Sequence, residues 1–158
     1  MHKYEVLRRC AEEFRLQLEK YAKEDLEHKS ELEWFIQQWM PWHKKVMCKE
    51  IRLPCYEAYG LGIYFTNPDL SKMAETYHYI NPSHPLNRAS SQYFCAVADR
   101  YSDPRFIADL RASGESLDLI PDEYPPPEEE APLPTEEGNP QQAEQGWLYR
   151  WIFESRKK

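Results

Sequence analysis

The sequence predicts a mainly α-helical protein: a small domain of about four to five helices over residues 1–113, then an acidic, proline-rich linker over 114–146 and an aromatic, basic segment over 147–158. Three observations carry this division. Residues 1–113 hold 16 basic and 16 acidic side chains and a long apolar stripe at helical spacing. The linker holds ten acidic residues, seven of the thirteen prolines and no Lys or Arg. The last segment places Trp147, Tyr149, Trp151 and Phe153 alternately with Leu148, Arg150, Ile152 and Glu154. In the linker, like charges repel and prolines withhold amide donors, so it is expected to be disordered. The remaining 113 residues suffice for one modest core.

The elements follow in order. Tyr4, Leu7, Ala11, Phe14, Leu18, Tyr21 and Ala22 share one helical face, and the stripe resumes in phase at Leu32, Ile36, Trp39 and Met40. A single helix over residues 3–40 would run about 55 Å at 1.5 Å per residue, longer than so small a domain is wide. A break is therefore placed at Ser30, where Ser30 and Glu33 have the form of a capping box. Left unbroken, the projecting end would call for a homodimer through this helix. Pro41 is expected to stop the second helix. Residues 46–65, rich in Tyr, Ile and Phe with Gly60 and Gly62 between, read as a short extended or hairpin segment.

Further on, Asn67, Pro68 and Asp69 give a cap, a first-turn proline and an acid, predicting a helix through Tyr79. Residues 86–101 are predicted helical, with Phe94, Val97, Ala98 and Tyr101 inward. Ser102, Asp103 and Pro104 repeat the cap-and-proline start, opening a short helix that ends near Gly114.

Bulk composition excludes several function classes. The net charge of -7 comes from the linker, since the domain is neutral, so nucleic acid and anionic membrane are disfavoured as partners. A protein partner with a basic surface fits the acidic segment better. Apolar runs are short, so no membrane span is expected. Four scattered cysteines and no apolar leader point to a reduced, cytoplasmic setting.

Chemistry-bearing patterns are sparse. Cys10, Cys48, Cys55 and Cys95 lack the close pairing of a zinc site, and no cofactor or metal is expected. His43 and Cys48 would lie about 140° apart on a helix, so they do not form a local thiol–imidazole pair. Asp25-x-x-His28 and Glu75-x-x-His78 each place a carboxylate and an imidazole one helical turn apart, the half-motif of a helical di-metal site. A solvated face explains the same residues. The aromatics over 56–65 could stack bases, but Lys49 and Arg52 are the cations near them in sequence, which favours a packed core. The prolines over 125–134 suit a polyproline II spacer.

Taken together, the residues point to an interaction or adaptor protein, or complex subunit, without its own catalysis. Its partner-binding residues are expected at a tryptophan-rich corner, Trp34, Trp39 and Trp42, and in the tail at Trp147, Tyr149, Trp151 and Phe153. Two alternatives stand beside this: a small acidic inhibitor that mimics nucleic acid or plugs a basic groove, and a di-metal carboxylate protein using Asp25, His28, Glu75 and His78.

Overall fold

The computed structural model describes residues 2–114 together with Leu117, Leu119 and Ile120. Most of the expected linker and the whole segment over 147–158, including Trp147, Tyr149, Trp151 and Phe153, lie outside the described residues. Among the described residues the chain is mainly helical and contains no strand.

Helix α1, Lys3–Glu24, buries Leu7, Ala11, Phe14, Leu18 and Ala22 of the face its periodicity predicts, and Val6 and Cys10 beside it, while Tyr4 and Tyr21 are half-buried. Its start is capped by the His2 side chain, which accepts from the Tyr4 amide. Helix α2, Lys29–Met47, buries Leu32, Phe35, Trp39 and Val46. The expected break between the two exists, but it lies at Asp25–His28 and not at Ser30. The Asp25 carboxylate accepts from the His28 backbone amide at 3.2 Å, closing the turn before a capping box at Ser30 could act. Ser30 sits inside α2. Glu31 instead caps a distant segment: its carboxylate accepts from the Ser71 hydroxyl at 2.8 Å and from the Lys72 amide at 3.0 Å.

Two further expectations are corrected. Pro41 does not stop α2, which continues to Met47. Pro41 and Gln37 both face solvent, so water can satisfy the carbonyl that the missing amide leaves unpaired, and the ring does not press on the core. The extended or hairpin segment over 46–65 is also overturned. After the turn at Lys49, with φ 60°, the chain forms α3, Tyr56–Tyr59, a 3-10 turn, Gly60–Gly62, and α4, Ile63–Thr66. Ala58 and Phe65, seven residues apart, are buried on one face, so the aromatic content of this run serves helix packing.

The Asn67 side chain accepts from the Asp69 amide at 2.9 Å, so the cap chemistry is local turn chemistry, and helix starts later, at α5, Lys72–Ala74, with Ser71 as its cap. A π-helical stretch, Glu75–Ile80, follows. Helix α6, Pro85–Val97, is capped by His84 and ends before Asp99, which adopts the left-handed conformation at φ 57°. A 3-10 turn, Arg100–Ser102, then leads to α7, Pro104–Ser113. As the sequence predicts, the Asp103 side chain caps α7 and Gly114, at φ 72°, closes it. Packing continues past Ser113: Ile120 is buried, and the Leu119 amide donates to Gln92 of α6 at 3.2 Å.

The core is an aromatic cage. Helix α1 packs against both α2 and α6, and Phe14 occupies the junction. Its ring lies 4.9 Å from Trp39, 5.4 Å from Tyr93, 5.6 Å from Phe65, 5.7 Å from Phe94 and 5.8 Å from Phe35, centroid to centroid. Phe14→Ala should therefore lower the unfolding free energy by about 3–5 kcal/mol, read from urea midpoints. A loss under about 1 kcal/mol would show that the cage is not what holds the helices together.

Candidate functional site

A groove of about 1210 Å³ runs along one side of α6. One wall is α3, the glycine turn and α4, contributing Tyr56, Tyr59 and Ile63. The floor is α6 itself, through Asn87, Arg88, Ser91, Phe94 and Cys95. Arg100, Tyr101, Phe106 and Leu110 form the other wall, and Gly114 and Leu117 extend it. His78, Pro82 and Ser83 close one end.

Each wall is placed by an identifiable contact. The Cys55 amide donates to the Val97 carbonyl at 2.8 Å, fixing the start of α3 against the end of α6. Gly62 comes so close to α6 that a Cβ there would lie 3.2 Å from the Phe94 ring, and Tyr59 meets the same ring edge-on at 6.4 Å. On the far side, the left-handed turn at Asp99 swings Arg100 and Tyr101 round to face the groove. The Arg100 guanidinium lies 4.1 Å from the Phe106 ring centroid, a cation–π contact that orients the charge. Among the described residues that line the groove there are two arginines and one histidine and no Asp or Glu. The volume exceeds the roughly 300–1,000 Å³ of a small-molecule pocket. Aromatic walls beside cations suit an extended, acidic peptide.

A second polar cluster joins the α1–α2 turn to the π-helical stretch. Buried His28 approaches the Asp25 carboxylate through Nδ1 at 2.8 Å and the Thr76 hydroxyl through Nε2 at 3.1 Å. Tyr77 donates its hydroxyl to the same carboxylate. The order hydroxyl, imidazole, carboxylate is that of a nucleophilic triad, but Asp25 also serves Tyr77 and the His28 amide, and none of the three lines the groove. The cluster acts as a latch. Burial opposes ionisation of Asp25, yet the hydrogen bonds from Tyr77 and His28 outweigh it and hold the carboxyl below its usual value. Tyr77 is correspondingly raised by burial and by Asp25. His84 lies between Tyr21 at 4.4 Å and Tyr77 at 4.6 Å, and burial lowers its pKa.

The other sequence candidates separate. Trp39 is fully enclosed in the cage and cannot meet a partner, which corrects its place in a binding corner. Trp34 remains exposed, edge-on to Tyr64 at 5.0 Å, and Trp42 is half-buried under Lys45. The two carboxylate–histidine motifs do not converge: Asp25 and His28 pair with each other, Glu75 is exposed and His78 lines the groove. Among the described residues no three His, Cys, Asp or Glu gather as metal ligands. His43 bonds Glu12 at 3.3 Å and meets the Trp39 ring at a tilt, 5.2 Å between centroids. Burial pushes the Cys10 thiol up to about 12 and raises Cys55 as well, making poor nucleophiles of both. No helix among the described residues is long and apolar enough to cross a membrane.

Sequence reasoning missed the groove's arginines because they come from α6 and the turn after it, far along the chain from Tyr56 and Tyr59 on the opposite wall. The available signal was the spacing of Tyr56, Tyr59 and Ile63, which fits one helical face. No protein-family model, curated protein or solved structure matches this chain.

Two predictions follow from these contacts. Gly60 has helical dihedrals and open space around its Cα, so Gly60→Ala should stabilise by about 0.4–1 kcal/mol by restricting the unfolded chain. Gly62→Ala should destabilise, because the cage prevents the Phe94 ring from retreating; equal effects in thermal unfolding would contradict the close approach.

The latch sets acid sensitivity. His84 binds its proton less readily folded than unfolded, so stability should fall as pH drops below 6.5 and level off below the lowered folded value. Asp25 ionises more readily folded, so its contribution is complete above 3.8 and is lost as pH falls through its lower folded value. In urea midpoints measured against pH, Asp25→Asn should shrink the acidic step, to which Glu12, held low by its hydrogen bond with Arg15, also contributes, and His84→Asn, which keeps a capping acceptor, should shrink the step nearer neutrality. Unaltered profiles would show that these groups do not govern it.

Proposed function

We propose that this chain is a protein-interaction module, an adaptor or complex subunit that performs no chemistry of its own. Its groove receives an extended acidic segment of a partner protein containing proline or aromatic residues. The observation that carries this reading is the lining: Arg88, Arg100 and His78 around Tyr59, Phe94, Tyr101 and Phe106, with no Asp or Glu among the described lining residues. Aromatic faces accept proline rings, whose extended form loses little entropy on binding, while the cations select acidic neighbours. The tail aromatics, Trp147, Tyr149, Trp151 and Phe153, supply a second contact on the same partner, and the acidic segment before them favours a partner with a basic surface.

The test is fluorescence anisotropy of a labelled peptide of alternating Pro and Glu with one Tyr, against the full chain at low salt. Binding should weaken as salt rises, since exposed charges are screened within about 8 Å at physiological ionic strength. The Arg88→Glu/Arg100→Glu double variant should lose about tenfold in affinity. Equal binding of a peptide with Gln in place of Glu would rule out charge selection.

A further inference from the structure

We propose that the groove is occupied by a segment of this same chain, residues 121–130, which therefore competes with any partner for it. This rests on the groove being a peptide site. Three observations point to this occupant. The first is direction: Gly114 and Leu117 line the groove, the Leu119 amide is bonded to Gln92 in the middle of α6, and Ile120 is buried, so the chain is delivered to the site.

The second is charge. Residues 121–130 read Pro-Asp-Glu-Tyr-Pro-Pro-Pro-Glu-Glu-Glu, five carboxylates with no cation, opposite a lining that holds Arg88, Arg100 and His78 and no Asp or Glu among the described residues. Tyr124 and the three prolines match the partly exposed rings of Tyr59 and Phe106, placing apolar groups between two acidic ends. The third is reach. Ten residues in polyproline II form span about 31 Å, whereas the α6 floor, 13 residues long, spans about 20 Å. The segment can thus cover the whole floor starting from Ile120. A tether this short holds it at roughly millimolar effective concentration, so weak contacts suffice to keep out a partner of modest affinity.

The experiment uses full-length chains and a labelled synthetic peptide with the sequence of residues 121–130. Wild type is compared with a variant carrying Asp122→Asn, Glu123→Gln, Glu128→Gln, Glu129→Gln and Glu130→Gln. All five positions lie beyond the described core, and circular dichroism checks that folding is unchanged. At low salt the variant should bind the added peptide at least about tenfold more tightly than wild type, with the difference shrinking as salt rises. Equal, measurable binding to both proteins would overturn self-occupancy while leaving the groove a peptide site. Absence of binding to both would overturn the peptide-site reading and self-occupancy with it. If instead serine substitutions at Trp147, Tyr149, Trp151 and Phe153 unmask the groove and the five amides do not, the aromatic tail is the occupant and the proposal fails.

Discussion

Close packing of aromatic rings around Phe14 is the constraint on which the rest of this structure depends. A neutral, highly charged domain of this length has few large apolar side chains to spare, and it concentrates them where α1, α2, α4 and α6 meet. Rings in edge-on and tilted contact gain about 0.5–1.5 kcal/mol per pair beyond the area they bury, and they fix relative rotation as well as distance. Fixing rotation matters here because the glycine turn between α3 and α4 can approach α6 only where the Phe94 ring stands edge-on to Phe14. The cage therefore shapes the groove from beneath: Phe94 belongs to both.

The polar groups divide between two tasks. Asp25, His28, Thr76 and Tyr77 satisfy one another inside the molecule and decide where the first long stripe breaks. Arg88 and Arg100 face outward, the latter held on Phe106. This division leaves a neutral domain with a cationic face and hands the negative charge to the segment that follows it. Bonded to one another, the first set stabilises; exposed along the groove, the second set is suited to selecting a ligand.

Much of the fold was legible because its signals are local. The α1 stripe, the Asp103–Pro104 start and the Gly114 stop each depend on residues within a turn or two, and the structure contains them as read. Where tertiary contacts decide, the sequence misled. Asp25 ends α1 because His28 and Tyr77 bond its carboxylate, and Tyr77 is 52 residues away. Pro41 passes unnoticed because it happens to face water. The aromatic run over 56–65 has strand-forming composition, but Gly62 and Ala58 are small where α6 presses, which fits a helix. The groove was the least legible feature, since α3, α6, the turn with α7, and Leu117 are contributed by separate stretches. Trp39 shows the converse error: a tryptophan in a cluster looked like surface and is core.

The central claim is that the cage and the groove wall are one cooperative unit. Native-state hydrogen exchange on the full chain tests this most directly, because amides that open together report the same free energy. The account predicts that the protected amides of α3 and α4 open with the same free energy, and the same denaturant dependence, as those of α1 and α6. Exchange of α3 and α4 several kcal/mol more easily than α1 and α6, within the roughly 5–15 kcal/mol of a whole domain, would show a wall that moves independently of the Phe14 cage and would contradict the account.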